Sequence, residues 1–356
     1  MSGLLIAFLT SFVITLLIIR FKHLHEQFSV DSDLNSPQKF HKVAVPRVGG
    51  ISIALGLLSA ILIKTFDLGL GNPGLTILAC AIPTFAIGLT EDLTKRISVR
   101  RRLFFTAISA TCLIYFLGPQ ITSLDIPFID LLFTIPFFGT LLTIFAITGL
   151  ANAYNIIDGF NGLSSMVGII TLLALGYVAY TLNDTTIIFL SLVMVAAILG
   201  FFIWNYPQGL IFLGDGGAYL IGFWIGCLSV WLCFKHPEIS SWFALLINGY
   251  PTMETLFSIY RRKIHQNKNA GAPDGIHFHT LIYRRILRAA HFDSTLSANS
   301  RTAPYLWILA GLSVTPAVLW PQSTPVLVGA CALFFGSYTS LYRRIVRFKT
   351  PRWMRV

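Results

Sequence analysis

The acidic and amide residues bordering the hydrophobic runs of this chain are where chemistry is to be sought. Three groups stand out: Glu91-Asp92, the series Asn152, Asn155, Asp158 and Asn161, and Asp215 in Gly214-Asp215-Gly216-Gly217. A charged side chain costs about 3 kcal/mol at the centre of a membrane helix and less toward its ends. Several at one level imply a bound cation or a charged substrate. Adjacent carboxylates such as Glu91 and Asp92 repel, and one holds its proton unless a cation neutralises the pair. Asn155 and Asp158, three residues apart, share one face of a helix. Gly159 and Gly162 then let the backbone break and approach a ligand closely. Amide oxygens with a carboxylate suit a hard cation such as Mg²⁺, which binds one or two carboxylates together with substrate phosphate. Asp215 opens an apolar run, where the free N–H groups of a helix start favour phosphate.

Cationic residues cluster in two other stretches. Segment 33–50, punctuated by Pro and Gly, offers Lys39, His41, Lys42 and Arg47. The long segment 261–302 holds Pro273-Asp274-Gly275-Ile276-His277-Phe278-His279-Thr280. After it, Ile282, Ile286 and Ala289 fall on one helical face and Arg284, Arg288 and His291 on another, which predicts an interfacial amphipathic helix. Each group also has a plain reading: a solvated helix end for Glu91-Asp92, an N-cap for Asp215, a topology signal for the basic segment and a surface loop for His277 and His279.

The elements that position these residues follow from composition. Hydrophobic residues make up 55% of the 356 and charged ones 12%, with a mean hydropathy of +0.72. A soluble domain carries about 25% charged residues. Apolar runs long enough to cross a hydrocarbon core of about 30 Å as helices cover 3–20, 47–66, 75–90, 103–118, 129–150, 162–182, 186–204, 210–234, 242–260, 303–320 and 325–341. The expectation is an all-α polytopic membrane protein of about 11 spans, one membrane-embedded domain over 1–356. With the N-terminus outside and the C-terminus cytoplasmic, all 26 Lys and Arg residues except Lys64 and Lys235 fall on the inner side. The first 20 residues read as a first span and not a cleaved signal, and 342–356 as a basic cytoplasmic tail. Five cysteines lie within spans at no disulfide-like or zinc-like spacing. The net charge of +11 is then a topology signal, and a nucleic-acid partner is not expected.

In order, Asp33…Lys39-Phe40-His41…Pro46-Arg47-Val48-Gly49-Gly50, Glu91-Asp92, Asn152…Asn155…Asp158-Gly159-Phe160-Asn161-Gly162, Gly214-Asp215 and His277-Phe278-His279 resemble the motifs of the polyprenyl-phosphate N-acetylhexosamine-1-phosphate transferases. These belong to glycosyltransferase family 4, in the superfamily that includes phospho-N-acetylmuramoyl-pentapeptide transferase. The resemblance covers roughly residues 1–290, and the family's eleven-span, N-out arrangement matches the count. The chain departs from the pattern at Glu91 and Asn161, where the family usually has aspartates, and at Gln38 and Thr280.

The resemblance implies transfer of an N-acetylhexosamine-1-phosphate from a UDP-sugar to undecaprenyl phosphate. UMP is released, at the cytoplasmic face of a bacterial inner membrane, as the initiating step of a cell-envelope glycan such as O-antigen. It implies Mg²⁺, with Mn²⁺ as a substitute, held by Asp215 with Asn155. Glu91, Asp92, Asp158 and Asp215 are the implied catalytic residues, Glu91 and Asp92 at the lipid phosphate. Lys39, His41, Lys42, Asn152, Asn155, Asn161, His277 and His279 are the implied substrate-binding residues. The partners are undecaprenyl phosphate, the UDP-sugar and the lipid bilayer, with room for a homodimer. The pentapeptide transferase is the alternative within the superfamily. From another class, a secondary transporter would place its polar residues near mid-membrane between repeated halves, and no repeat is visible.

Overall fold

The computed structural model describes residues 2–24, 45–68, 73–265, 275–287 and 295–349. Lys39, His41, Lys42 and Asp33 lie outside these residues. Every long element is a helix, and no strand occurs among the described residues. In order they are α1 (Ser2–Arg20), α2 (Gly50–Leu68), α3 (Pro73–Thr94), α4 (Val99–Leu117), a short α5 (Pro127–Asp130), α6 (Phe138–Ile157), α7 (Leu163–Thr181), α8 (Thr185–Asn205), α9 (Gly214–Lys235), α10 (Ser241–Ile247), α11 (Gly249–Tyr260), a short α12 (Phe278–Ile282), α13 (Thr295–Leu319) and α14 (Thr324–Val346). Eight of these are long and apolar enough to cross a membrane: α1, α3, α6, α7, α8, α9, α13 and α14. The chain is therefore a polytopic membrane protein.

The predicted spans at 47–66, 103–118 and 242–260 correspond to α2, α4 and the α10–α11 pair. Three arginines in the first turns of α4 dilute its apolar content. The ninth predicted span is broken at Asn248, where the sequence Asn248-Gly249-Tyr250-Pro251 starts a new helix; Pro251 lacks the N–H that would continue the old one. The fifth predicted span also shifts. Pro136 and the left-handed Phe137 (φ 65°) stop a helix from running through 129–137, so α6 starts at Phe138 and carries Asn152 and Asn155 in its last two turns.

α9 is the axis of the protein. It is apolar on all sides, which marks a buried helix, and 83% of its apolar window is buried against 17% for α1. Helices α2, α3, α6 and α7 pack directly on it. Glycine permits the closest of these approaches: a Cβ at Gly88 on α3 would stand 2.7 Å from the Cα of Gly216 on α9.

Hydrogen bonds divide the connections into two ends. At one, Phe212 N–H donates to Pro46 O (2.8 Å) and Gly50 N–H to Leu213 O (2.9 Å), joining the approaches to α2 and α9. At the other, Ser240 N–H donates to Pro321 O (3.1 Å), Trp242 Nε1 to Leu124 O (2.8 Å) and Thr324 Oγ1 to Asp125 (2.7 Å). Connections predicted to alternate between faces thus segregate.

The segment predicted as an interfacial helix packs inward where it is described. Phe278, Leu281, Ile282, Tyr283, Ile286 and Leu287 are buried, with α13 and α14 against them. Its apolar side is covered by protein.

Candidate active site

The N-terminal end of α9 is where the carboxylates meet. Gly214 takes a left-handed conformation (φ 76°), turning the chain into the helix. The free N–H groups behind it are not left for a ligand. Asp92, from the last turns of α3, accepts from Asp215 N–H at 2.7 Å and from Gly216 N–H at 2.9 Å. Asp92 is thus the cap of α9, supplied from another helix, and is 1% exposed. The positive end of the helix favours its negative charge.

Asp215 is thereby released from a capping role and directs its carboxylate to two arginines. Arg102, from the start of α4, pairs with its Oδ2, and Arg47 approaches its Oδ1 at 3.5 Å. Arg47 also lies 3.8 Å from Asp92 and within electrostatic reach of Asp158. Glu91 and Asp158 are both close enough to act on Asp92. Three acids, Asp92, Asp158 and Asp215, from three connections therefore converge on one guanidinium. Burial pushes the Asp158 carboxyl up to about 7, with the charge of Arg47 opposing it.

The remaining predicted residues occupy separate places. Asn152 accepts from Tyr219 OH at 2.9 Å, fastening α6 to α9, and the Arg102 guanidinium lies 5.8 Å from the centre of that tyrosine ring. Asn155 is partly exposed beside Asp158, whose N–H donates to its carbonyl at 3.3 Å. Glu91 accepts from Ile97 N–H at 2.5 Å, closing the turn after α3. Asn161 is 2% exposed; its N–H donates to Asn299 Oδ1 (3.1 Å) and its side chain to Pro207 O (3.3 Å). These are bonds that hold the neighbouring turn.

The histidine segment comes to the same end. His279 Nε2 would stand 2.9 Å from a Cβ at Gly159, so that glycine admits the ring. Phe160 packs edge-on to His279 at 5.5 Å, and His277 stacks on His279 at 5.2 Å. His277 Nδ1 hydrogen-bonds Glu254 Oε1 at 2.9 Å. Glu254, on α11 and 1% exposed, also accepts from Phe278 N–H (3.1 Å) and Tyr338 OH (2.8 Å). The carboxylate thereby orients the imidazole and ties the segment to α14.

Sequence reasoning missed Glu254, Arg102 and Tyr219. A lone acid within the apolar run 242–260 was a usable signal for Glu254. Arg102 sits in the run Arg100-Arg101-Arg102, which does not reveal which arginine turns inward.

The oxygen donors at this end fit a hard divalent cation. Asp215, Asp158 and Asn155 offer carboxylate and amide oxygens without sulfur. No group of three or more His, Cys, Asp or Glu residues forms a metal cage among the described residues, and Mg²⁺ sites seldom use one, relying on one or two carboxylates and substrate phosphates.

Comparison with known proteins identifies relatives of this chain. The model of glycosyl transferase family 4 matches residues 75–233, the stretch containing Asp92, Asp158 and Asp215. A Bacillus subtilis (strain 168) relative, named as a probable undecaprenyl-phosphate N-acetylglucosaminyl 1-phosphate transferase, is 26% identical over 325 residues, covering 88% of this chain and 89% of its own. Relatives from Thermotoga maritima and Escherichia coli (strain K12), both named undecaprenyl-phosphate alpha-N-acetylglucosaminyl 1-phosphate transferase, are each 30% identical. The first covers 71% of this chain and 73% of its own, the second 69% and 67%. With its motif order, its helical membrane fold and the convergence of its acids on α9, the chain belongs to glycosyl transferase family 4.

Proposed function

We propose that this protein transfers N-acetylglucosamine-1-phosphate, or a closely related N-acetylhexosamine-1-phosphate, from its UDP-sugar to undecaprenyl phosphate and releases UMP. The observation that carries this reading is the site at the start of α9, where Arg47 and Arg102 meet Asp92, Asp158 and Asp215. Both substrates are phosphate anions, so the barrier to their approach is charge repulsion, which fixed cations lower. The acceptor monoester has a second pKa of about 6, taking phosphoserine as its guide, and is largely ionised at pH 7. It needs no strong base.

In this reading Arg47 and Arg102 draw in the phosphates, exchanging Asp215 for substrate oxygens. Asp92 keeps the α9 terminus in place, and His277 and His279 face the donor diphosphate. Asp215, with Asn155 and Asp158 nearby, would hold Mg²⁺ or Mn²⁺. When bound, the metal would neutralise diphosphate charge. We read α2, α4 and the α10–α11 pair as spans, giving eleven, with the α9 start at the cytoplasmic face of a bacterial inner membrane. The reaction would then initiate a cell-envelope glycan.

The lipid phosphate attacks phosphorus in this scheme, so the sugar C1–O bond survives and one phosphoanhydride replaces another. Purified protein given UDP-N-acetylglucosamine and undecaprenyl phosphate should release UMP and keep the donor's anomeric configuration in the product. Labelled UMP with lipid-diphosphate sugar should regenerate labelled UDP-sugar. Release of UDP, or no exchange under saturating UMP, would overturn the reading.

A further inference from the structure

The end of α14 carries an arrangement that the proposed transfer does not use. The helix closes on Tyr342-Arg343-Arg344-Ile345-Val346, followed by Arg347-Phe348-Lys349. Tyr342 and Ile345 are buried, which turns Arg343, Arg344 and Arg347 outward, all exposed. With Lys349 they line an open cavity of about 730 Å³, whose other wall includes Phe335 and Gly336 one to three turns back along the helix. The cavity is cationic at one end and weakly polar to apolar at the other.

Two observations separate it from an ordinary basic helix end. Among the described residues, none of the four cations forms an ion pair with a carboxylate. The terminal carbonyls, whose partial negative charge would oppose an anion, are already occupied. Arg343 O and Arg344 O accept from the N–H groups of Arg347 and Lys349. The Arg285 guanidinium donates to Ile345 O at 3.1 Å and to Val346 O at 2.5 Å, and it lies 3.8 Å from the centre of the Phe348 ring. Farther along, apart from its chain neighbours and the helix's own backbone, no heavy atom lies within 4 Å of where a Cβ of Gly336 would stand, and Leu333 is 73% exposed. There is room for a hydrocarbon chain beside the helix.

We propose that this cavity binds the headgroup phosphate of an anionic phospholipid, with its acyl chains running along α14 past Gly336 and Leu333. The shared chemistry is a phosphate, which a free ion could also supply. The wall of a membrane-crossing helix, open to hydrocarbon, favours the lipid. The proposal rests on the membrane fold and is independent of the transfer reaction. Arg285 belongs to the segment that begins at His277, so the same cations border the anchorage of the histidines.

The test uses the full-length protein, stripped of lipid in detergent and titrated with phosphatidylglycerol or phosphatidylcholine under native mass spectrometry. Wild type should retain phosphatidylglycerol with about tenfold preference, in keeping with clustered basic residues at a membrane surface. R343Q/R344Q/R347Q should abolish the preference, whereas R343K/R344K/R347K should keep it. The charge-retaining variant separates loss of the site from loss of fold. R20Q/K22Q, at the end of α1, should leave the preference intact. An equal loss in that control would mean diffuse surface charge and overturn the site. Displacement of the lipid by inorganic phosphate at equal concentration would mean that the acyl wall contributes nothing, and would overturn the lipid assignment.

Discussion

Asp92 and Asp215 are both acidic and buried, yet they face different partners. Asp92 accepts two main-chain N–H groups, so it acts on geometry, while Asp215 faces guanidinium groups that a substrate phosphate can draw away. Asp215→Asn keeps the size of the side chain and removes its charge. UMP release should fall by about a hundredfold or more, with the folded protein still monodisperse; near-normal turnover would leave Asp215 without the metal role. Glu254→Gln should leave His277 with a neutral partner. The expected result is a raised KM for the UDP-sugar and an altered pH profile, with a smaller change in kcat. An unchanged KM and pH profile would confine Glu254 to packing. Asp92, Asp158 and Asp215 were legible in the sequence because carboxylates bordering apolar runs need a reason to be there. Their division of labour was not, since it depends on which helix end each one faces.

At the scale of elements, the joints between helices are polar and the faces are apolar. Asp184, between α7 and α8, caps α8 by accepting from Ile187 N–H at 3.1 Å and pairs with Lys235 and His236 at the end of α9. Burial opposes its charge, but the Lys235 hydrogen bond, the Ile187 N–H and His236 together hold its carboxyl below the ordinary value. A depressed carboxyl pKa stabilises the fold fully above the unfolded value of about 3.9 and loses that contribution as pH falls through the lower folded value. The melting temperature of wild type should therefore exceed that of Asp184→Asn at neutral pH, with the gap closing below about pH 4. A gap independent of pH would sink the ionic role. Helix type was readable from hydropathy alone, and eight of the eleven expected spans are long and apolar enough as single helices among the described residues. The break at Asn248 and the late start of α6 were signalled by Pro251 and Pro136, but a window wide enough to find a span averages over a single residue.

For the whole molecule, the connections sort into two ends, with the acids and arginines of the candidate site at one and the Asp125, Asp184 and Ser240 contacts at the other. On the proposed topology, with basic residues gathered on the inner side, the site end faces inside. Reporters fused after Lys95 or Asn267 should read cytoplasmic, and fusions after Asn72 or Gln322 external. Any reversed pair would break the assignment of the site to the cytoplasmic face. The sorting of these connections into two groups was legible because Lys and Arg avoid one set of loops. The packing of helices around α9 was not, because an all-apolar helix carries no stripe to show which neighbour it meets.

The cap that Asp92 places on α9 joins residues 124 positions apart, and this has a consequence for biogenesis. A ribosome adding roughly 5–20 residues per second needs on the order of ten seconds to make Gly216 after Asp92. Through that interval α3 is already emerging with an acid whose partner does not yet exist. The growing chain must shelter that charge at the lipid–water boundary or inside the insertion machinery. Chains arrested before Gly214 should therefore be degraded faster than chains arrested after Lys235, a difference measurable by pulse–chase.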